Sequence, residues 1–429
     1  MATAITSTFL DELRWRGFLE AVTSEDLDSF LSEARRTLYV GFDPTADSLH
    51  LGSLIPVMAL AHCQRHGHRP LVLIGGGTGL IGDPSGKSSE RSLMTLEQTE
   101  ANSAAIREQL SRFFDLSSDD RALMLNNAEW LMPLDLLGFL RDVGKHFSVN
   151  EMIKRDSVRT RLEERDQGIS FTEFAYMLLQ AYDFYHLFRE FDCTVQMGGS
   201  DQWGNILSGK ELIRRMLGGR SEGITFPLLT TASGKKFGKT EEGAVWLDAN
   251  RTSPYQMYQY WLQTADADVV RYLKLFTFLD RAQIDELAAE VTAHPEKREA
   301  QRKLAAECTA IIHGQSVIAA IEAASRILFS ASEEIPDADT VAMLAREVPV
   351  TRLGLAELKA GIELVELLLR TRLAESKGAA RKAIDGGGVY LNNERQTNVR
   401  KTVLSEDLKW PEALLLRVGK KNYHLVITE

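Results

Sequence analysis

The stretch TLYVGFD, from Thr37 to Asp43, decides the fold, because a short apolar run ends there in a tight polar turn. The same pattern recurs three times in the first half of the chain, in PLVLIGGG from Pro70, ALMLNN from Ala122 and CTVQMGGSD from Cys193. Segments with helical periodicity separate these runs, and such alternation is typical of a parallel α/β sheet. We therefore predict an α/β domain with a parallel sheet.

Each of these runs ends in polar side chains or glycines. The endings are Asp43, the loop from Gly75 to Gly79, Asn126 with Asn127, and the loop from Gly198 to Gln202. In parallel sheets the carboxyl ends of the strands meet at one edge, and ligands bind there. The sequence therefore predicts a polar cleft built from these four endings.

Two further modules follow the predicted sheet domain. From about Thr252 to Glu334 the strand patterns vanish and apolar residues recur at helical spacing. EEIPDADT around Pro336 has turn composition, and after it two helical segments precede a strand-like VYLN. We predict a parallel-sheet domain, an α-helical domain and a small C-terminal α+β domain, with segment boundaries at 1–228, 229–247, 248–335, 336–354 and 355–429.

The composition is that of folded globular domains. The chain has 429 residues, of which 44% are hydrophobic and 26% charged, and this excludes disordered, collagen-like and membrane proteins. Cys63, Cys193 and Cys308 are far apart, so neither a disulfide framework nor a cysteine zinc site is predicted. Because residues 1–20 lack a long hydrophobic stretch, we expect a cytoplasmic protein without a signal peptide or membrane span.

Positive charge is concentrated near the C-terminus. Between Gly361 and Glu429 there are 12 Lys and Arg against 9 Asp and Glu, although the whole chain has a net charge of −10. A local basic excess on an acidic protein is typical of a nucleic-acid-binding appendage. Scattered surface lysines would give the same count, so charge alone leaves both interpretations open.

The glycine loop after the second run nearly matches two nucleotide-binding motifs. G-x-G-x-x-G is satisfied from Gly77 to Gly82, but Asp83 and Pro84 follow where a dinucleotide-binding domain would open a helix. In GDPSGKS the first glycine of a phosphate loop would fall on Ile81, so that motif fails by one residue. Dehydrogenase and P-loop ATPase functions are therefore disfavoured, and a loop that lets the backbone approach a ligand remains, with Asp83 as a candidate partner of a cation.

A long helix is predicted from Ser170 to Glu190, in SFTEFAYMLLQAYDFYHLFRE, which is apolar on nearly every side and therefore typical of a buried helix. Tyr176, Gln180 and Asp183 stand at i, i+4 and i+7, so they share one stripe. Burying Gln and Asp without partners costs roughly 2 kcal/mol or more each. The stripe predicts a site for a small polar ligand, unless it faces solvent or forms a structural network.

Two short segments carry a family resemblance. YVGFDPTADSLHLGS, from Tyr39 to Ser53, contains HLGS, which resembles the His-x-Gly-His signature of class I aminoacyl-tRNA synthetases. KKFGKT, from Lys235 to Thr240, resembles their second signature, Lys-Met-Ser-Lys-Ser, and follows in the expected order. The blocks GGGTGLIGDPSGKSSER, EFAYMLLQAYDF and GGSDQWGN are similar to the bacterial tyrosyl-tRNA synthetases in particular, and the resemblance extends over essentially the whole chain.

The resemblance implies a fold, a reaction and partners. It implies a Rossmann-like catalytic domain at 1–228, a mobile catalytic loop at 229–247, an anticodon-binding helical domain at 248–335 and, after a linker, an RNA-binding domain like that of a small-subunit ribosomal protein at 355–429. L-tyrosine and ATP would give tyrosyl-adenylate and pyrophosphate, and the 3′ end of tRNA(Tyr) would then take the tyrosyl group. ATP and Mg2+ are the implied cofactors, and no protein metal site is expected. The family is homodimeric, and the apolar stretch from Leu131 to Val143 is a candidate interface.

The resemblance also assigns roles to individual residues. For tyrosine it implies Tyr39, Asp83, Tyr176, Gln180, Asp183 and Gln202, with Tyr39 and Asp183 at the phenolic hydroxyl. For ATP it implies Gly41, Asp43, Thr45, His50, Gly52, Ser53, Gly199, Asp201, Lys236 and Lys239, and for catalysis His50, Lys236, Lys239, Thr240, Lys87 and Arg91. Ordinary surface charge is the alternative for Lys87 and Arg91. In the tail it implies that Arg372, Lys377, Arg381 and Lys382 contact tRNA phosphates.

This chemistry needs no catalytic triad. The carboxyl group of an amino acid has a pKa of about 3.5, so it is ionised and attacks the α-phosphate without a general base. Lysines on a flexible loop suit the charge that develops on the phosphates. The sequence departs from the class pattern at Ser53, where His is usual, and at Phe237-Gly238, which replace Met-Ser.

The sequence leaves two alternative functions open. A tryptophanyl-tRNA synthetase shares the class fold, but that family lacks the basic tail module and has no use for Tyr39 and Asp183 around a hydroxyl. A non-catalytic RNA-binding paralogue need not keep His50 and Lys239. Tyrosine-dependent exchange of labelled pyrophosphate into ATP distinguishes the three.

Overall fold

The computed structural model describes residues 7–83, 93–155, 158–159, 162, 169–234, 237–240, 243–329 and 334–429, with only the backbone described at 239–240. The chain forms two compact units, one of Met1–Thr252 with Trp261–Ile312 and the other of Ser253–Tyr260 with His313–Glu429. The finer division into five segments stays a prediction. Within the described ranges, no helix is long and apolar enough to cross a membrane.

A six-stranded sheet forms the centre of the first unit. Its strands are β1 Ala21–Val22, β2 Thr37–Phe42, β3 Arg69–Ile74, β4 Leu123–Asn126, β5 Cys193–Gly199 and β6 Glu222–Phe226. In space they follow the order β1-β6-β5-β2-β3-β4, and β2 to β6 run parallel while β1 pairs antiparallel with β6. The parallel α/β sheet predicted from the four apolar runs is confirmed.

Helices connect these strands and cover the sheet. Up to the end of the sheet they are α1 Phe9–Arg16, α2 Leu27–Ser32, α3 Leu54–Arg65, α4 Leu96–Ser111, α5 Ala128–Leu131, α6 Leu136–Asp142, α7 Val149–Ile153, α8 Phe171–Phe191 and α9 Trp203–Leu217. Among the residues described up to Asp83, β3 is followed by a short 3-10 turn, Thr78–Leu80, where a dinucleotide-binding motif would open a long helix.

The helical stretch predicted from about Thr252 to Glu334 is confirmed. A short strand pair precedes it, β7 Lys239–Thr240 with β8 Gly243–Ala244. The helices that follow are α10 Pro254–Leu262, α11 Asp266–Phe276, α12 Arg281–Ala293, α13 Glu299–His313 and α14 Ser316–Phe329.

Helix α8 matches its predicted range within a residue at each end. Its N-cap is Ser170, whose hydroxyl accepts the backbone N–H of Glu173 at 3.2 Å, as serine caps commonly do. It ends at Phe191, and its C-cap Asp192 adopts the left-handed conformation with φ of 52°. Phe184 and Leu187 are fully buried in a core that they share with Tyr39 of β2 and Leu71 of β3, so the apolar character of this helix reflects burial.

The second unit contains a small sheet packed against short helices. Its strands are β9 Val350–Leu353, β10 Ile362–Glu363, β11 Val389–Leu391, β12 Glu394–Gln396, β13 Thr402–Val403, β14 Ala413–Val418 and β15 Asn422–Thr428, and its later helices are α15 Ala338–Glu347, α16 Leu355–Ala360, α17 Leu364–Arg370 and α18 Lys377–Asp385. Five strands form one sheet in the order β12-β11-β14-β15-β9. Leu367, Leu368 and Ile384 of the helices meet Leu414 and Leu416 of the sheet in one core. The predicted C-terminal α+β module is confirmed.

Candidate active site

A cavity of about 280 Å³ opens at the carboxyl end of β2, beside β5. The strand order reverses here, since β3 and β4 extend to one side of β2 and β5 and β6 to the other. Parallel α/β sheets bind ligands at such a reversal, where neighbouring loops diverge. Its lining includes these residues predicted from the sequence: Tyr39, Gly41, Asp43, Thr45, Ser53, Asp83, Tyr176, Gln180, Asp183, Gly199 and Gln202.

Asp43, directly after β2, joins the glycine loop to α8. Its carboxylate accepts hydrogen bonds from the Thr78 hydroxyl at 2.7 Å and from the Tyr176 hydroxyl at 2.8 Å. Gly75 makes room for this carboxylate, because a Cβ atom at position 75 would lie 2.1 Å from Asp43 Oδ1. The glycine turn after β3 therefore accommodates a polar hub of the cavity.

Asp183 borders the cavity although only 2% of its surface is exposed. One carboxylate oxygen accepts from Trp130 Nε1 at 2.7 Å and the other from Asn127 Nδ2 at 2.9 Å. Burial raises the pKa of Asp183 to about 7, and the charge of Asp43 adds to this, whereas the two hydrogen bonds act in the opposite direction. Each carboxylate oxygen has two lone pairs, so Asp183 retains acceptor capacity beyond these two bonds.

Tyr39, within β2, brings a buried hydroxyl to the same place. Its side chain is 1% exposed, and no described residue forms a hydrogen bond with its hydroxyl. Burial, followed by the charge of Asp183, raises the pKa of Tyr39 well above its ordinary value, so the hydroxyl stays neutral and able to donate. Gln196, its partner in register on β5, likewise has an Oε1 atom that no described residue contacts by a hydrogen bond. Tyr39 and Asp183 thus offer a donor and an acceptor to a ligand that carries a hydroxyl group.

Amide side chains connect α8 to the loop after β5. Gln180 Nε2 donates to Gln202 Oε1 at 3.1 Å, and Gln202 Nε2 donates to Asp83 Oδ2 at 2.7 Å. Asn205 Nδ2 donates to Gln180 Oε1 at 2.8 Å and to Gln202 Oε1 at 3.0 Å. Asp83, Gln180 and Gln202 line the cavity, and their carboxylate and amide oxygens are acceptors that suit a ligand ammonium group.

The two signature segments lie against each other. Leu51 donates its N–H to the carbonyl of Val245 at 2.9 Å, and Leu247 donates to the carbonyl of Leu49 at 2.8 Å, so the chain after the second signature runs along the first. Gly238 has φ of 77°, which favours glycine, and a Cβ atom there would lie 3.1 Å from the backbone nitrogen of Gly52.

His50 stands at the edge of this contact. Its side chain is exposed, its ring meets Trp246 edge-on with centroids 6.3 Å apart, and it lies over Gly52, where a Cβ atom would come within 2.8 Å of the imidazole. The one-turn helix Leu51–Ser53 begins directly after it. Ser53 borders the cavity, whereas His50 and Gly52 are not among its lining residues.

Asp201 lies two residues after the end of β5, which is Gly199. A Cβ atom on Gly199 would lie 2.5 Å from Asp201 Oδ1, so a larger residue where β5 ends would displace this carboxylate. Desolvation of the carboxyl group, followed by the charge of Asp83, raises the pKa of Asp201. Asp201 itself is not among the cavity lining.

Several predicted residues fall outside what the structure describes. Lys87, Arg91 and Lys236 lie outside the described residues, and only the backbone is described at Lys239 and Thr240. The roles predicted for these five side chains therefore stay predictions.

The side chains that hold the predicted ones do not stand out in the sequence. Thr78, Trp130 and Asn205 each bond directly to a predicted residue, and Asn127 is recognisable only as a strand ending. Thr78 and Asn205 lie within the blocks GGGTGLIGDPSGKSSER and GGSDQWGN that carry the family resemblance, but the spacing in these blocks does not indicate which distant side chains they contact.

The four predicted phosphate contacts are exposed. Helix α18 begins at Ser376, whose hydroxyl accepts the N–H of Ala379 at 3.2 Å, and it buries Ala380 and Ile384. The basic side chains in and near this helix point away from that core; all four are exposed, namely Arg372, Lys377, Arg381 and Lys382.

Two family models match the chain. Residues 31–330 match the model described as tRNA synthetases class I (W and Y). Residues 341–426 match the model described as the tyrosine–tRNA ligase SYY-like C-terminal domain.

Known proteins are similar over most of the length. A tyrosine–tRNA ligase of Roseiflexus castenholzii is 51% identical and the match covers 98% of this chain and 99% of that protein. A tyrosine–tRNA ligase of Desulfosudis oleivorans is 50% identical, with 97% and 98% covered. Among solved structures, a C-terminally truncated mitochondrial tyrosyl-tRNA synthetase of Aspergillus nidulans superposes with a TM-score of 0.68 at 35% identity, covering 75% of this chain and 94% of that one.

Proposed function

The chain belongs to the class I aminoacyl-tRNA synthetases, and within them to the tyrosine–tRNA ligases, and from this premise we propose how its residues divide the work. As a member of this family it is an enzyme, a ligase that acts in translation. The family binds tyrosine and tRNA and uses ATP as a substrate. Relatives about half identical over nearly the full length are tyrosine–tRNA ligases, so the tryptophanyl and non-catalytic alternatives are set aside.

In our proposal, Asp183 and Tyr39 bind the phenolic hydroxyl of tyrosine. One observation carries this assignment: Asp183, 2% exposed, borders the cavity together with a buried Tyr39 hydroxyl that no described residue contacts by a hydrogen bond. The substrate hydroxyl donates to the Asp183 carboxylate and accepts from Tyr39. Phenylalanine would leave the Tyr39 hydroxyl without a partner and the remaining acceptor capacity of Asp183 unused, and an unsatisfied buried polar group costs about 1–3 kcal/mol.

In this proposal the ammonium group of tyrosine lies among the carboxylate and amide acceptors that line the cavity. Asp83, Tyr176 and Gln180 hold it in this proposal, and Gln202 contacts the carboxylate region. Gln202 is suited to this role because its amide already bridges Asp83 and Gln180 and is therefore oriented before substrate arrives.

ATP occupies the neighbouring loops in this proposal. The ionised tyrosine carboxylate attacks the α-phosphorus, an O–P bond forms, and the bond to the departing pyrophosphate breaks with the electron pair on that oxygen. The protein positions the groups and balances phosphate charge. The assigned residues are Gly41, Asp43, Thr45, His50, Gly52, Ser53, Gly199 and Asp201 around the nucleotide, and Lys236, Lys239, Thr240, Lys87 and Arg91 around the phosphates.

Mg2+ enters the proposal only as a companion of the ATP phosphates. Within the described ranges, no three histidine, cysteine, aspartate or glutamate side chains converge to hold a metal ion. Mg2+ commonly binds nucleotide phosphates and keeps several waters, so it does not require a cage made by the protein. No step above is routed through the ion.

A homodimer is our proposal for the assembly, with α6 as its contact. Leu136, Leu137 and Leu140 of this helix are 68%, 74% and 46% exposed, and Met132 just before it is 55% exposed. Contiguous exposed apolar side chains commonly mark interfaces. A two-fold contact through this helix would remove them from water. A cytoplasmic location is also proposed, from the resemblance.

The tail serves tRNA in this proposal. Arg372, Lys377, Arg381 and Lys382 contact phosphates, since backbone charge supplies most of the sequence-independent affinity for RNA. The segments 229–247, 248–335 and 355–429 are proposed as the catalytic loop, the anticodon-binding domain and the RNA-binding domain.

Tyrosine-dependent exchange of labelled pyrophosphate into ATP tests the site assignment. The wild-type chain should exchange with tyrosine and not with tryptophan. Asp183→Ala should impair exchange strongly, while Asp192→Ala, a change of the same type just beyond the end of α8, should not. Unchanged exchange by Asp183→Ala would remove this residue from the tyrosine site.

A further inference from the structure

Asp268, in the first turn of α11, holds the chain just before the second signature. Its side chain is 6% exposed, and both carboxylate oxygens accept the backbone N–H of Ala232, at 3.1 and 3.0 Å. Within the described residues, this amide is the one hydrogen-bond donor to the carboxylate from outside its own helix. A buried carboxylate is costly to desolvate. Hydrogen bonds from a single amide offset little of this desolvation free energy. We therefore explain Asp268 by the backbone position of Ala232, which it holds in place.

The side chain of Phe237 anchors the other end of the same loop. It is 7% exposed and stacks on Phe276 with ring centroids 4.9 Å apart and planes 8° from parallel. Tyr272 meets it edge-on at 5.0 Å and Trp261 lies at 5.8 Å. Its backbone N–H donates to the carbonyl of Leu229 at 3.2 Å, which closes the loop at its base.

Both anchors lie on one helix. Asp268 belongs to the first turn of α11, while Tyr272 and Phe276 lie one and two turns later. This helix therefore sets where Ala232 and Phe237 stand. Gly238 follows Phe237 at once and packs against the backbone of Gly52 in the first signature. The helix thereby fixes the distance between the two signatures.

We propose that Asp268 is a positioning residue for tyrosyl-adenylate formation, acting through Ala232 and the loop base on the contact between Gly238 and Gly52. The proposal rests on the proposed function, in which both signatures bind ATP. Asp268 borders neither the tyrosine cavity nor the signature contact itself. Its loss should therefore change the use of ATP and leave tyrosine binding intact.

The test uses three full-length variants and two readouts. Asp268→Ala removes both acceptors, Asp268→Asn keeps one, and Asp266→Asn is the matched control, because Asp266 lies in the same helical turn but accepts from Gln301 at 2.6 Å instead of from the loop. The readouts are kcat/KM for ATP in pyrophosphate exchange and the Kd for tyrosine at equilibrium.

We expect Asp268→Ala to lower kcat/KM for ATP about ten-fold or more, as for the loss of a hydrogen bond to a charged group, with Asp268→Asn between it and wild type. The Kd for tyrosine should stay within about two-fold of wild type in all variants, as for changes remote from a site. If Asp268→Ala does not fold, the partial loss in Asp268→Asn carries the test alone.

Two outcomes overturn the proposal. In the first, kcat/KM for ATP is the same for Asp268→Asn and Asp268→Ala as for the control Asp266→Asn. In the second, tyrosine binding weakens as much as the use of ATP. Lys239→Ala, measured in parallel, separates this failure from that of the proposed function: if Lys239→Ala keeps full activity, the assignment of the second signature to ATP is wrong as well.

Discussion

Tyr176 on α8 donates its hydroxyl hydrogen to Asp43 after β2, at 2.8 Å, across 133 positions of sequence. This bond ties the polar stripe of an otherwise apolar helix to the segment that carries the first signature. The other members of the stripe behave alike, since Gln180 bonds to the loop after β5 and Asp183 to residues beyond β4. The stripe is therefore partly a structural network, and it also borders the cavity.

Tyrosine binding should depend on pH through Asp183. Burial raises the pKa of its carboxyl group from an ordinary value of 3.8 to about 7, so the folded protein holds this proton more tightly than the unfolded chain. The associated stabilisation is full below pH 3.8 and is lost as pH rises to about 7. A phenolic donor prefers the ionised carboxylate, so the Kd for tyrosine should fall as pH rises through about 7. Titration calorimetry at several pH values measures this Kd. For Asp183→Asn the Kd should not change with pH, and a pH-independent Kd for the wild type would refute the assignment.

Replacement of Tyr39 by phenylalanine should separate binding from stability. The hydroxyl has no hydrogen-bond partner within the described residues, so Tyr39→Phe should leave the melting temperature unchanged or higher. Tyrosine should bind about ten-fold more weakly, as for the loss of one hydrogen bond. Tyr185→Phe is the control on α8, because its hydroxyl accepts from Arg189 and it is not part of the cavity lining. Equal binding by wild type and Tyr39→Phe would exclude this hydroxyl from the site.

A methyl group at Gly75 should damage the polar hub. The Cβ atom of Gly75→Ala would lie 2.1 Å from Asp43 Oδ1 and 2.6 Å from Thr78 Oγ1, so these two groups must separate. We expect destabilisation of about 1–3 kcal/mol and a marked loss of tyrosine activation. Gly378→Ala is a suitable comparison, since its new Cβ atom would meet nothing closer than 3.9 Å. Denaturant unfolding and pyrophosphate exchange measure the two effects, and full activity of Gly75→Ala would argue against a rigid hub.

The exposed basic residues of α18, Arg381 and Lys382, should contribute to tRNA binding and not to tyrosine activation. Replacing Arg381 and Lys382 by alanine should weaken tRNA binding and reduce the slope of log Kd against log salt by about 1 for each phosphate that the variant no longer neutralises. Arg352→Ala removes one positive charge from β9, where Arg352 pairs with Glu429, and should leave that slope unchanged. Filter binding at several salt concentrations checks this. Equal slopes for all variants would remove the RNA role from this helix.

Much of the fold follows from local pattern. The four apolar runs, the long helix α8 and the helical stretch after Thr252 are each predicted with the correct type, because periodicity over many residues reports burial directly. The strand endings also predict where the cleft lies. Topology rules place the carboxyl ends of parallel strands together, whatever the loops contain.

The partners of the site residues do not follow from the sequence. Asn127 and Trp130, which follow β4 in the chain, bond to Asp183, and Asn205 of α9 bonds to Gln180. Such contacts depend on how distant elements pack, which no local spacing reveals. The role of Phe237 also emerges only from packing: in place of the usual Met, it supplies a ring that stacks within the aromatic cluster on α11.

The most direct test of the account is the ratio of kcat/KM for tyrosine over phenylalanine, measured by pyrophosphate exchange for wild type and Asp183→Asn. If Asp183 reads the phenolic hydroxyl, the ratio should fall by about 100-fold or more in the variant, because the buried carboxylate that penalises phenylalanine is gone. A ratio that is the same in both proteins would contradict the central claim that this polar stripe is completed by tyrosine.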